Sequence, residues 1–191
     1  MKFVIATNNK KKLRELSKIL DGLGIAACSL TEAGVTTDVE ETEENALLKA
    51  KNAVRMTGLP AVADDSGLAV EELDGAPGIY SARYGGCQTD EERVGFLLQN
   101  MEGKADRAAY FVSAVACVFP DGTQFVTRGE CHGEITLAPS GNGGFGYDPV
   151  FFLPEEGRTM AELSEERKNQ ISHRAKALAQ FKDALLAYLQ K

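Results

Sequence analysis

The first twenty or so residues constrain the fold most. Residues 2–6 form a short apolar run of strand-forming character that stops at the polar Thr7-Asn8-Asn9. Over residues 10–20 the apolar positions Leu13, Leu16, Ile19 and Leu20 fall on one helical face, and Gly22 supplies a stop. Strand, polar turn and amphipathic helix in that order begin an α/β layer, since each element buries its apolar face against the other.

The rest of the chain keeps alternating. A second helix is expected from about Thr42, with Glu43 and Glu44 in its first turn, where the macrodipole favours acids. Ala46, Leu47, Ala50 and Val54 form its inward stripe, and Gly58 with Pro60 ends it. Residues 61–63 read as a short strand leading into Asp64-Asp65-Ser66-Gly67, and residues 68–73 continue as a strand. Thr89-x-x-Glu92 is a capping box that opens a third helix carrying Val94, Leu97, Leu98 and Met101. Residues 110–119 and 123–126 read as a hairpin across Pro120-Asp121-Gly122. Extended structure is expected near 133–137 and 150–153. The last helix should run from about Arg174 to Leu189, with Leu178, Phe181, Leu185 and Leu189 inward. No repeat, low-complexity tract or linker interrupts this pattern. The expectation is a mixed-strand α/β chain forming a single domain over 1–191.

Composition narrows the function classes. A net charge of -7 argues against a general nucleic-acid or anionic-membrane surface, though a local basic pocket stays open. Cys28, Cys87, Cys117 and Cys131 make no C-x-x-C pair and the chain has two histidines, which disfavours a Cys/His zinc site. Reduced thiols and an apolar N-terminal run too short for a signal peptide or span lead to an expected cytoplasmic location.

Five groups could carry chemistry. Thr7, Asn8, Asn9, Lys10, Lys11 and Lys12 join a strand to a helix, and helix-start N–H groups with ammonium neighbours suit a polyphosphate. A capped helix with solvated lysines has the same residues. Asp64-Asp65-Ser66-Gly67 could hold Mg²⁺ or deprotonate a water, or be an ordinary polar turn. Glu40 and Glu41 could complete a metal site or simply lead into the second helix. Ser172-His173-Arg174 with Lys168 offers donors for phosphate and base, or a plain helical surface. In Ser140–Pro149, Phe145 could stack on a base and Asp148 bond its edge. Glycine turn geometry accounts for the same stretch.

That stretch also contains Gly141, Gly143 and Gly146 at G-x-G-x-x-G spacing. A dinucleotide cradle needs a helix directly behind the last glycine. Tyr147-Asp148-Pro149 and the strand-like Val150-Phe151-Phe152 follow instead, so a Rossmann loop is not expected, and no P-loop motif is present.

Taken together, Thr7-Asn8-Asn9-x-x-Lys12, Ala63-Asp64-Asp65-Ser66-Gly67-Leu68, Gly75-Ala76-Pro77-Gly78-Ile79-Tyr80-Ser81-Ala82-Arg83, Gly144-Phe145-Gly146-Tyr147-Asp148-Pro149 and Ser172-His173-Arg174 closely resemble the inosine triphosphate pyrophosphatase (Ham1-like) family. The resemblance extends from the first strand to the last helix. It implies an elongated mixed β-sheet flanked by helices, with two lobes around a central substrate cleft, and a homodimer. It implies Mg²⁺-dependent hydrolysis of ITP, dITP and XTP to the monophosphate and pyrophosphate. By the same resemblance Asp65 is the catalytic base and a metal ligand, with Ser66 contacting substrate. Thr7 to Lys12, Lys49 and Lys168 would hold phosphates; Phe145, Gly146, Tyr147, Asp148, His173 and Arg174 would enclose the base. Asn8 stands where the family often has glycine. The segment between Glu41 and Glu44 is about four residues shorter than in the family, so Glu40 is the favoured second metal ligand, with Glu41 the alternative. Rival readings are a Maf-like nucleotide pyrophosphatase and a nucleotide-binding regulator without catalysis.

Overall fold

The computed structural model describes residues 2–35 and 46–190, apart from the Lys11 side chain. The expected helix start near Thr42, with Glu40, Glu41, Glu43 and Glu44, lies outside the described residues. The described strands are β1 (Lys2–Ile5), β2 (Ala26–Ser29), β3 (Ala61–Val70), β4 (Pro77–Gly78), β5 (Ala108–Val118), β6 (Gln124–Ile135), β7 (Phe151–Leu153) and β8 (Arg158–Thr159). The helices are α1 (Lys10–Asp21), α2 (Ala46–Thr57), α3 (Asp90–Asn100), α4 (Glu165–Ile171) and α5 (His173–Leu189). Strand order is β2-β1-β3-β5-β6-β7-β8, with β4 paired to β3. β1 runs parallel to β2 and β3, whereas β7 is antiparallel to β6 and β8, so the sheet is mixed and flanked by helices.

The chain resolves into two compact units, each built from separate stretches. The first holds residues 1–65, 113–128 and 177–191, the second 66–112 and 129–176.

In the first unit the strand alternation sorts side chains by size. Phe3, Ile5 and Val62 face one way, packed with Leu16 and Leu20 of α1 and Phe181 and Leu185 of α5. Val4, Ala6, Ala61 and Ala63 face the other way, where they meet Ala46, Ala50 and Ala53 of α2. Helices on both faces of parallel strands make a three-layer core, bulky on one side and rich in alanine on the other. In the second unit, Leu68 and Val70 pack with Val94 and Leu97 of α3 and with Phe111, Ile135, Tyr147 and Phe151. Its third helix opens as expected: the Thr89 hydroxyl accepts from the Glu92 N–H at 3.1 Å and Glu92 accepts from the Thr89 N–H at 3.0 Å.

One of the two readings of Asp64-Asp65-Ser66-Gly67 needs correcting. The stretch is no turn; β3 runs unbroken through it. The glycine that mimics a turn signal is needed for close approach, because a Cβ on Gly67 would lie 2.5 Å from the Gly78 carbonyl oxygen of β4. β6 likewise absorbs most of the separate extended segment expected near 133–137, and the short β2, β4 and β8 were not anticipated.

Candidate active site

In the first unit, two carboxylates and two lysines gather on β3 and its flanking helices. Asn9 ends the turn after β1 and accepts the Lys12 N–H at 3.2 Å, while the Thr7 hydroxyl accepts the Asn9 N–H at 3.2 Å. This cap starts α1 and aims Lys12 inward: its Nζ lies 2.9 Å from Asp64 Oδ2. Alternation on β3 puts Asp64 on the α1 face and Asp65 on the α2 face. Asp64 is fully buried in its side chain, while the Asp65 side chain keeps 33% exposure. Lys49, from α2, has its Nζ 3.6 Å from Asp65 Oδ1, an ion pair too long to be a hydrogen bond. Asn8, Asn9 and Lys10 are exposed and Thr7 is half-buried. The helix is therefore capped, as the plainer reading of this turn has it, but Lys12 pairs with buried Asp64 instead of standing in solvent.

In the second unit, the glycine-rich stretch is a loop pinned by carboxylates. Behind it come a short 3-10 turn (Asp148–Val150) and β7, with no α-helix, as expected. Each glycine has its own reason. Cβ atoms on Gly141 and Gly143 would lie 2.8 Å and 2.7 Å from backbone atoms of Ala161, and one on Gly144 would run into the Asp148 carboxylate. Gly146 has φ of +60° and open space around it.

Asp148 is buried and its Oδ2 accepts the Phe145 N–H at 2.8 Å and the Lys168 ammonium. Lys168 Nζ also stands 4.7 Å from the Phe145 ring centroid, a cation–π distance. Phe145 itself is 52% exposed among otherwise small residues. Tyr147 turns the other way, into the core, where its hydroxyl donates to the Ser81 carbonyl at 2.8 Å and burial pushes its phenol well above the ordinary range. Ser172 caps α5 by accepting the Ala175 N–H at 3.2 Å. His173 and Arg174, in the first turn of that helix, are buried, and the His173 ring stacks on Phe111 at 4.8 Å between centroids. Ser66, next after Asp65 on β3, is half-buried.

Asp90 was missed by sequence reading. From the first turn of α3, its Oδ2 accepts the Gly146 N–H at 2.7 Å while its Oδ1 holds Arg93. Burial acts to raise its carboxyl, but the hydrogen bonds from Arg93 and Gly146 and the Arg93 charge outweigh it, leaving Asp90 below the ordinary aspartate value.

The arrangement can bind and polarise an anionic ligand at the first unit and offer an aromatic face at the second. The Ham1 family model matches residues 3–184. The chain belongs to the Ham1 family. A Geobacter sulfurreducens relative named dITP/XTP pyrophosphatase is 50% identical over 191 residues, covering 96% of this chain and 96% of that one. A Synechocystis relative with the same name is 49% identical over 179 residues, covering 91% and 90%. Among solved structures, the Staphylococcus aureus Ham1 protein is 40% identical with a TM-score of 0.92, covering 98% of this chain and 100% of that one.

For a metal, this Ham1 chain offers hard oxygen donors. Among the described residues no cluster of three or more His, Cys, Asp or Glu could hold an ion by itself. Mg²⁺ does not require one, because it binds through one or two carboxylates, substrate phosphates and water. Partly exposed Asp65 fits that habit, whereas Asp64 is buried against Lys12. Glu40 and Glu41 lie outside the described residues.

Proposed function

We propose that this Ham1 chain hydrolyses non-standard purine nucleoside triphosphates (dITP, XTP and ITP) to the monophosphate and pyrophosphate, clearing them from the nucleotide pool. The observation that carries this reading is the near-full-length similarity to relatives named dITP/XTP pyrophosphatase. The site chemistry supports it, because a partly exposed carboxylate beside lysines suits attack on a phosphate.

The triphosphate falls to Thr7, Asn8, Asn9, Lys10, Lys11, Lys12 and Lys49, with Lys168 assisting, and the purine to the Phe145 face with His173 and Arg174. Ser66 contacts the substrate beside Asp65. Asp65 orients a water and takes its proton as the oxygen attacks the α-phosphorus. The water oxygen–phosphorus bond forms, the bond to the bridging oxygen of the β-phosphate breaks, and pyrophosphate leaves with its charge met by the lysines. Mg²⁺ would be held by Asp65 with Glu40, or Glu41 in its place. When bound it supplies charge neutralisation at the phosphate oxygens. Discrimination rests on the 6-keto group, since donors that meet it are left without partners by the 6-amino group of adenine. We further read residues 1–191 as one cytoplasmic domain acting as a homodimer.

Product analysis tests this. With Mg²⁺, dITP and XTP should yield the monophosphate and pyrophosphate at a kcat/KM at least about a hundredfold above dATP. Orthophosphate as first product overturns attack at the α-phosphorus. A preference for modified pyrimidines favours the Maf-like alternative, and saturable binding without turnover favours a regulator.

A further inference from the structure

The exposed ring of Phe145 sits on a loop that should be floppy, since glycines flank it on both sides. The structure restrains it through its two neighbouring peptide groups. The N–H before the Phe145 Cα is taken by Asp148 at 2.8 Å, and the N–H after it by Asp90 at 2.7 Å. Fixing the peptide planes on both sides of one Cα fixes its φ and ψ together, and with them the direction of the Cα–Cβ bond. Each carboxylate has a cation of its own, Lys168 for Asp148 and Arg93 for Asp90. Both are therefore ionised acceptors, the stronger kind for a backbone N–H.

The two halves of the clamp differ in origin. Asp148 belongs to the loop it holds, three residues from Phe145. Asp90 comes from 56 residues earlier in the chain, on a helix start that the Thr89/Glu92 capping box makes rigid. Asp90 thus ties the peptide after Phe145 to α3, as Asp148 ties the N–H before it to Lys168 of α4. We infer that Asp90 is a positioning residue for base recognition: it acts through the Gly146 amide to hold the Phe145 ring in the orientation that receives the purine. This rests on the proposal that Phe145 stacks on the base.

Steady-state kinetics with dITP on wild type, Asp90→Ala, Asp90→Asn, Phe145→Ala and the Asp90→Ala/Phe145→Ala double variant test it. Phe145→Ala should raise KM about tenfold or more, the usual worth of a stacked base. Asp90→Ala should raise KM by up to about tenfold with kcat within about twofold, because it removes a hydrogen bond to a charged acceptor that acts on binding. Asp90→Asn keeps an acceptor oxygen and should recover most of that loss. The double variant should be no worse than Phe145→Ala, since a residue that works only through the ring has nothing left to position. Affinity for inorganic tripolyphosphate, which has no base, should stay within about twofold in all of them. If Asp90→Ala does not fold, Asp90→Ser, suited to a helix start, takes its place.

An unchanged KM in Asp90→Ala beside a raised KM in Phe145→Ala overturns the role of Asp90 and leaves base stacking standing. Additive losses in the double variant, or equal losses of tripolyphosphate affinity, overturn it as well. An unchanged KM in Phe145→Ala overturns base stacking itself, and the inference with it.

Discussion

Aspartates meet cations in both units, but the bonds are spent differently. Asp65 in the first unit faces the Lys49 ammonium at 3.6 Å, beyond hydrogen-bond reach, and keeps a third of its side chain open. Asp148 and Asp90 in the second unit each bind a backbone N–H as well as a cation, and Asp148 is buried. A loosely paired carboxylate can trade its partner for a ligand at little cost. Buried Asp148, which already holds an amide and an ammonium, cannot, because exchange strands a buried group, whereas Asp90 is held by its two partners with 47% of its side chain exposed. The same residue type is thus loosely paired at Asp65, where we propose reaction, and tightly bonded where it holds a loop; Asp64, buried against Lys12, belongs with the second kind.

Substitutions can break this contrast. The largest effect should come from Asp65→Asn, which removes a proton acceptor and should lower kcat by about 10²- to 10⁴-fold. Thermal stability and nucleotide affinity should stay near wild type, as calorimetry and equilibrium binding would reveal; a large loss of stability instead would make Asp65 a framework residue. Asp148→Ala should do the reverse. Leaving Lys168 and the Phe145 N–H without this acceptor should cost about 3–5 kcal/mol in urea unfolding. A stability change near zero would mean that Asp148 is as exchangeable as Asp65.

The smallest expected effect concerns the core of the first unit. Burial raises the Cys117 thiol from 9.0 to about 12, so the folded state resists ionisation. Its contribution is complete below pH 9 and fades as pH climbs toward 12, because the unfolded thiol ionises first. Between pH 8 and 10 wild type should lose about 1.4 kcal/mol that Cys117→Ala retains, measured by urea unfolding at each pH. Equal losses in both would assign the alkaline slope to other groups, Cys131 of the second unit among them, whose thiol burial also raises.

What was legible in the chain follows the range of the interaction. The Thr89/Glu92 box, the α1 stripe and the absence of a helix behind Gly146 are local, and the structure agrees with each. The continuity of β3 was hidden because the cause of Gly67 lies eleven residues away, at the Gly78 carbonyl. Asp90 was hidden more deeply, since it reads as an ordinary acidic helix start until the loop 56 residues on is brought to it. Tyr147, placed around the base with Phe145 by the family resemblance, has its ring in the core of its unit and its hydroxyl on the Ser81 carbonyl, a partner 66 residues away. The G-x-G-x-x-G spacing, set aside because no helix follows it, has no single cause: its glycines answer to Ala161 and to local backbone geometry.

The alanine layer between α2 and the sheet acts as a spacer of fixed thickness. Ala46, Ala50 and Ala53 against Ala6, Ala61 and Ala63 let that helix sit close, and Lys49 rides on it. The backbone position from which Lys49 reaches Asp65 is thus set in part by methyl groups that bear no charge. Since a Coulomb attraction falls with distance, swelling that layer by a few carbons would retune the pair without touching either partner.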